Sequence, residues 1–138
     1  MPEAISDSSI LIHTARIGRL DILKAFYEKI LITPAVWKEV VEEGENRPGA
    51  LEVKEASSSG WIEVMPPINE SVVQLLEREL HKGEAETIAL AIEQHPIVVF
   101  LDESEARRVA NVYRLPITGT IGILIRAKYE GKIVSLRE

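Results

Sequence analysis

The chain has 138 residues, 46% of them hydrophobic, and its formal net charge at pH 7 is −6. This length predicts a single domain over residues 1–138, and the absence of cysteine excludes disulfides, thiolate nucleophiles and zinc–thiolate sites. No stretch reaches the ~18 apolar residues of a membrane span and the N-terminus lacks the pattern of a signal peptide, so we expect a soluble cytoplasmic protein.

Short stretches rich in Ile and Val recur along the chain and predict strands. They lie at residues 3–7, 29–33, 61–65, 97–101 and, more faintly, 115–118, with KIVSL near the C-terminus as a further candidate. Between them, apolar residues recur at helical spacing, at 19–28, 34–43, 70–80, 84–94, 103–114 and 120–130. The stretch 44–60 is the most loop-like, although ALEVKEA within it could form a helix.

Strands that alternate with helices, and that are rich in Ile and Val, are typical of a parallel sheet covered on both faces. We therefore expect an α/β fold, with three layers in the order α/β/α. Its central, mainly parallel sheet should have about five strands.

Acidic residues directly follow two of the predicted strands. Asp7 follows the first strand, and Asp102 follows VVFL in the same way. In parallel sheets, functional sites form outside the carboxyl ends of the strands, so the two acids would lie side by side if their strands are neighbours. The alternative for each is helix capping, because Asp and Ser oxygens accept the free N–H groups of a first helical turn. Ser8 or Ser9 could cap the first helix without Asp7.

Glu84 lies at the start of the helix predicted for GEAETIALA. A helical projection places it at the edge of the apolar face, whereas Glu86 and Glu93 point away from that face. The alternative is that Glu84 only compensates the helix dipole, since a negative charge in a first turn is favourable.

Glu39 lies on the flank of the helix predicted after Thr33-Pro34. Periodicity does not separate it from Glu42 or Glu43, and it would equally fit a solvated charge. The three histidines, His13, His81 and His95, are expected on the surface or at helix ends and not in a catalytic role.

The order of these acids resembles that of the PIN domain, in particular the prokaryotic PIN domains close to VapC-type toxin ribonucleases. The matching pieces extend over nearly the whole chain and are ISDSS, TPAVWKEV, GEAETIALA, VVFLDESEAR and TGTIGIL. The resemblance implies Asp7, Glu39, Glu84 and Asp102 as the catalytic acids, with Asp7, Glu84 and Asp102 as ligands of Mg²⁺ or Mn²⁺.

The neighbourhood of Asp102 departs from the commoner toxin pattern, in which Thr precedes a later Asp or Asn. Glu103 or Glu105 could therefore share the role given to Asp102. By the same resemblance, Ser9 corresponds to a small polar residue near the first acid, and Thr120 is a further accessory candidate.

The implied activity is metal-dependent hydrolysis of RNA phosphodiester bonds by an endoribonuclease. Two divalent ions, roughly 3.5–4 Å apart, can activate the water and stabilise the leaving oxygen, and carboxylates suit Mg²⁺ and Mn²⁺. The acidic net charge argues against nucleic-acid binding, but bound divalent cations would offset much of it. Candidates for phosphate contacts are Arg16, Arg19, Lys82, Arg107, Arg108, Arg126 and Lys128, of which we assign Arg16, Arg107, Arg108 and Lys128 to RNA binding.

The resemblance also implies an RNA substrate, a homodimer and, if the protein is the toxin of a toxin–antitoxin pair, a small antitoxin partner. One alternative is a non-catalytic PIN-like module that binds RNA or protein. Another is a phospho-receiver-like signalling domain. That class needs adjacent acids after its first strand and a lysine after its last, and neither is clearly present.

Overall fold

The structure, a computed structural model, describes residues 4–131. Its strands are β1 (Ala4–Ser6), β2 (Ile30–Ile32), β3 (Ile62–Val64), β4 (Val98–Phe100) and β5 (Ile117–Thr118). They pair in parallel in the order β3-β2-β1-β4-β5, which confirms the predicted parallel sheet. The strand candidate KIVSL lies outside the described residues.

Eight α-helices lie within residues 4–131. They are α1 (Ser8–Arg16), α2 (Asp21–Phe26), α3 (Pro34–Trp37), α4 (Ala50–Ser59), α5 (Glu70–Leu76), α6 (Lys82–Gln94), α7 (Ser104–Val112) and α8 (Thr120–Tyr129). None of the helices in this part of the chain is long and apolar enough to cross a membrane.

Alternate residues of each strand point to opposite faces of the sheet and enter two separate cores. Ala4 and Phe100 pack with α1 to α4 and α8 on one face. Ile5, Leu31 and Val99 pack with α5, α6 and α7 on the other. The sheet is thus a middle layer between two layers of helices, which confirms the predicted α/β/α arrangement.

Two helical segments differ from the simplest interpretation of the sequence. The helix candidate within the loop-like stretch forms as α4, because burial of Val53 and Ala56 against the sheet stabilises it. The helix predicted for 34–43 is α-helical only over α3 and continues as a π-helical turn, Lys38–Glu42. Such turns often occur at functional sites.

Candidate active site

Asp7 lies at the carboxyl end of β1 and is almost completely buried, with 3% of its surface exposed. It is also the N-cap of α1, since its Oδ1 accepts the backbone N–H of Ile10 at 3.2 Å. The pKa of Asp7 is raised from 3.8 to about 7. Burial is the main cause, and the negative charges of Asp102 and Glu84 add to the rise, while hydrogen bonds from backbone N–H groups oppose it. Capping is therefore one role of Asp7. The uncharged side chains of Asn and Ser cap about equally well, so capping alone does not account for a buried carboxyl group with a raised pKa.

Asp102 follows β4, the neighbour of β1 in the sheet, so the two aspartates end adjacent strands. Its Oδ1 accepts the backbone N–H of Thr120 at 2.7 Å, and its Oδ2 accepts the Thr120 hydroxyl. A Cβ on Gly119 would lie 2.7 Å from Oδ1, so only glycine lets the start of α8 approach this closely. The N-cap position of α7 is held by Glu103, which does not support the capping alternative for Asp102.

Glu84 lies in the first turn of α6 and is 6% exposed. Burial raises the pKa of its carboxyl, the nearby charges of Glu103 and Glu39 add to the rise, and His81 opposes it. His81 is the N-cap of α6: its Nδ1 accepts the backbone N–H of Glu84 at 3.3 Å, and its Nε2 lies 3.4 Å from Glu84 Oε2. The helix-dipole alternative alone does not account for a carboxylate that is this buried and surrounded by other acids.

The π-helical turn directs Glu39 toward the starts of two helices. Its Oε1 accepts the hydroxyl of Ser8 at 2.9 Å, and a Cβ on Gly83 would lie 3.0 Å from the same oxygen. The hydroxyl that reaches Glu39 belongs to Ser8, and the accessory role of Ser9 stays a prediction. Glu39, which sequence periodicity did not separate from Glu42 and Glu43, is hydrogen-bonded to Ser8 at the start of α1.

A family model described as a PIN domain matches residues 3–138. The chain belongs to the PIN-domain family. No match to a curated protein is found. The resemblance to the PIN family is thereby confirmed, and PIN domains are generally nucleases that use divalent metals. A single domain over residues 1–138 stays a prediction.

In this PIN domain, the helical projection is wrong about Glu86, which is only 9% exposed. Its Oε1 accepts the backbone N–H of Ala35 at 3.0 Å, at the start of α3. The projection failed because α6 is covered by the sheet on one side and by α3 and α5 on others, so more than one of its faces is buried. Glu93 accepts the backbone N–H groups of Ile68 and Asn69 instead.

Two predicted accessory acids lie on α7 or at its start. Glu103 is exposed, and its charge acts on Glu84. Glu105 is exposed and paired with Arg108, whose guanidinium lowers the pKa of the Glu105 carboxyl. The PIN domain therefore brings Glu103, but not Glu105, toward the buried acids.

Several of the predicted RNA-binding residues have other partners. Arg107 donates to the backbone carbonyl of Leu101 at 3.0 Å, and Arg108 forms ion pairs with Glu79 and Glu105. Arg126 lies 4.0 Å over the ring of Phe26 and donates to the Tyr27 hydroxyl, which ties α8 to α2. Lys128 is exposed on the same helix.

Two clefts flank Glu39, and each is lined by basic as well as acidic side chains. One, of about 420 Å³, is lined by residues that include Lys38, His81 and Lys82. The other, of about 280 Å³, has Arg16 and Arg47 in its lining. Arg16 was a sequence candidate, whereas Lys38 and Arg47 were missed because no local pattern places them beside an acid that is distant in the chain.

The acids lie at one edge of the sheet, but within residues 4–131 no three His, Asp or Glu side chains converge closely enough to hold a metal ion as they stand. Asp7, Glu84 and Asp102 interact through their charges, and Glu39 joins them through Ser8 and the neighbourhood of Glu84. The arrangement is a cluster of acids in which Asp7 and Glu84 are buried and Glu39 and Asp102 are partly exposed.

Proposed function

We propose that this PIN domain is a metal-dependent endoribonuclease whose catalytic acids are Asp7, Glu39, Glu84 and Asp102. The observation that carries the proposal is the burial of Asp7 at the end of β1, next to the strand that ends at Asp102. The raised pKa of Asp7, caused mainly by that burial, supports it. A protein keeps an ionisable group at such a cost mainly where its charge has a function. Membership of the family supports nuclease chemistry, and the choice of these four acids is our assignment.

The donor chemistry of the acids fits a hard divalent cation, because carboxylate oxygens are the ligands that Mg²⁺ and Mn²⁺ prefer. Asp7, Glu84 and Asp102 would hold it, and its charge would offset both the burial and the mutual repulsion that raise the pKa of Asp7. When bound, such an ion activates a water and stabilises the leaving oxygen of the phosphodiester. Asp7 contributes a rigid oxygen, since β1 and the N–H of Ile10 fix its side chain.

We propose further, from the resemblance, that RNA is the substrate and that the protein is cytoplasmic and acts as a homodimer. The same resemblance supports the role of toxin in a toxin–antitoxin pair, with a small antitoxin as partner. Membership of the PIN family leaves the phospho-receiver alternative without support. The non-catalytic module that binds RNA or protein is separated from the nuclease by a cleavage assay.

We expect the purified protein to cut RNA with Mn²⁺ or Mg²⁺ and to stop when EDTA is added. Asp102→Asn should lower the cleavage rate by about 100-fold or more, since even groups behind a metal ligand are worth 10–100-fold. Asp21→Asn, an exposed aspartate on α2, is the matched control and should retain the parent rate. Gel assays on several RNAs measure both. Cleavage in EDTA, or full activity of Asp102→Asn, would remove the metal mechanism, and RNA binding without cleavage in either metal would favour the non-catalytic module.

The two clefts beside Glu39 predict which basic residues hold the substrate. Arg47→Ala and Lys82→Ala should each weaken RNA binding several-fold and lower the slope of log affinity against log salt by about 0.7, as expected for one lost phosphate contact on a single strand. Arg108→Ala should leave both values unchanged, because its guanidinium already pairs with Glu79 and Glu105. Filter binding over a salt series, in the Asp102→Asn background, is the measurement. An equal loss in Arg108→Ala would place the RNA on α7 instead.

A further inference from the structure

One histidine that the proposed mechanism does not use lies directly against Asp102. The Nδ1 of His13 is 3.0 Å from Asp102 Oδ2 and 3.1 Å from the hydroxyl oxygen of Thr120. The Thr120 hydroxyl donates to the same Oδ2, while the Thr120 backbone N–H donates to Oδ1. Three side chains from α1, α8 and the end of β4 thus form a closed set of contacts.

The contacts indicate whether the Nδ1 atom of His13 carries hydrogen. An ionised carboxylate only accepts hydrogen bonds, so a favourable contact at 3.0 Å requires that Nδ1 carries hydrogen. The hydroxyl of Thr120 is already used as a donor to Asp102, which leaves its lone pairs for the same N–H. In the tautomer with hydrogen on Nδ1, His13 donates to Asp102, and the Thr120 oxygen is a second acceptor near the same N–H. The other ring nitrogen, on a side chain that is 45% exposed, is left for other contacts.

The helix that carries His13 is itself held by the site. Asp7 caps α1, and His13 lies in the next turn of that helix, from which it reaches the strand next to β1. The Asp102 carboxylate is thereby held from two sides, by α1 and by the start of α8. A carboxylate held in one orientation loses less rotational freedom when it ligates an ion, and groups that orient a ligand in this way are typically worth 10–100-fold in metal affinity.

We propose that His13 is a positioning residue: its Nδ1–H fixes the carboxylate of Asp102 and thereby raises the affinity of the acidic cluster for a divalent cation. The inference rests on the proposed function, because it assigns Asp102 to the metal. The inference adds His13, which the sequence analysis expected outside a catalytic role. It predicts an effect on divalent-cation affinity, which can be measured without any RNA.

The experiment measures Mn²⁺ binding by isothermal titration calorimetry. It uses three variants, in each of which a histidine is replaced by an amide side chain. His13→Asn places an amide N–H near the position of Nδ1, whereas His13→Gln places it near Nε2. His95→Asn is the control and replaces an exposed histidine at the C-terminus of α6, before β4, whereas Asp102 follows that strand. We expect a 10–100-fold loss of affinity in His13→Gln and less than about threefold in His13→Asn and His95→Asn.

Thr120→Val removes the second side-chain donor to Asp102 and provides a variant that does not depend on position 13. It should weaken Mn²⁺ binding to the same degree as His13→Gln, and thermal unfolding in EDTA shows that each variant is folded. Parent-like affinity in His13→Gln would overturn the positioning role and leave the nuclease proposal intact. Equal losses in His13→Asn and His13→Gln would also overturn it, because the ring itself would then be needed. If the parent protein binds no Mn²⁺, the proposed function fails first and the inference with it.

Discussion

Asp7→Asn is expected to stabilise the metal-free protein above pH 7 and at the same time to abolish metal-dependent cleavage. The carboxylate is buried and its pKa is raised from 3.8 to about 7, which corresponds to about 4 kcal/mol for keeping it ionised. Asparagine retains an acceptor for the N–H of Ile10 but presents an amide N–H₂ where the second carboxylate oxygen stood, so we expect a net gain of about 1–3 kcal/mol. A stabilising change that removes activity is typical of a site residue and not of a cap.

The sign of the pH dependence follows from the raised pKa. Below the unfolded-state pKa of 3.8, the Asp7 carboxyl is protonated in both the folded and the unfolded state and does not lower the free energy of unfolding. As pH rises, the carboxyl ionises first in the unfolded state, so the free energy of unfolding of the parent falls until about pH 7. The advantage of Asp7→Asn should therefore be small near pH 4.5, larger at pH 6 and constant above pH 7.5. Urea unfolding in EDTA at these pH values measures it, with Asp21→Asn as an exposed control that shows no such trend. A loss of stability in Asp7→Asn at pH 8, or full cleavage activity, would reduce Asp7 to a structural cap.

Glu84→Gln and Glu86→Gln should separate catalysis from folding on one helix. Both carboxylates are buried, but that of Glu86 is occupied by the N–H of Ala35, whereas that of Glu84 faces His81 and the charges of Glu39 and Glu103. We expect Glu84→Gln to lower the cleavage rate by about 100-fold or more, and Glu86→Gln by less than about threefold. Glu86→Gln should instead lower the free energy of unfolding by about 0.5–1 kcal/mol, because it removes a negative charge at the start of α3.

Cleavage rates with Mn²⁺ and urea unfolding of the same two proteins give the required comparison. Each variant serves as the control of the other, since the substitution and the helix are the same. Equal losses of activity would show that both carboxylates reach the metal. A larger loss in Glu86→Gln would move the site into the cleft lined by Glu39 and Lys82.

Local sequence could predict the features that depend on residues within a single strand or helix. The Ile- and Val-rich strands, the helix starts and the acids at strand ends all follow from patterns a few residues long. The contact of His13 with Asp102 joins residues 89 positions apart, and it depends on the β1–β4 pairing that no local pattern contains. The burial of Glu86 likewise depends on α3, which packs on α6 from another part of the chain.

Glu39 shows a different limit. Its helix was predicted, but a projection at 3.6 residues per turn assumes a regular helix, and the π-helical turn Lys38–Glu42 changes the direction of every side chain within it. The resemblance to the PIN family selected Glu39 where periodicity did not separate it from Glu42 and Glu43. The RNA-binding roles of the basic residues stay predictions. The partners of such surface charges could not be predicted from local sequence, because they arise from tertiary contacts such as that of Arg126 with Phe26.

The central position of β1 has a consequence for how the protein is made. This strand is synthesised early, yet its neighbour β4 is Val98–Phe100, and Thr120, which holds Asp102, is later still. Contacts between residues so distant in the chain form slowly and only after the intervening segment is available. On the ribosome, the edge that gathers the acids is therefore incomplete until most of the polypeptide has emerged. Under the proposed function, a nascent chain would not yet be able to cleave RNA at that stage.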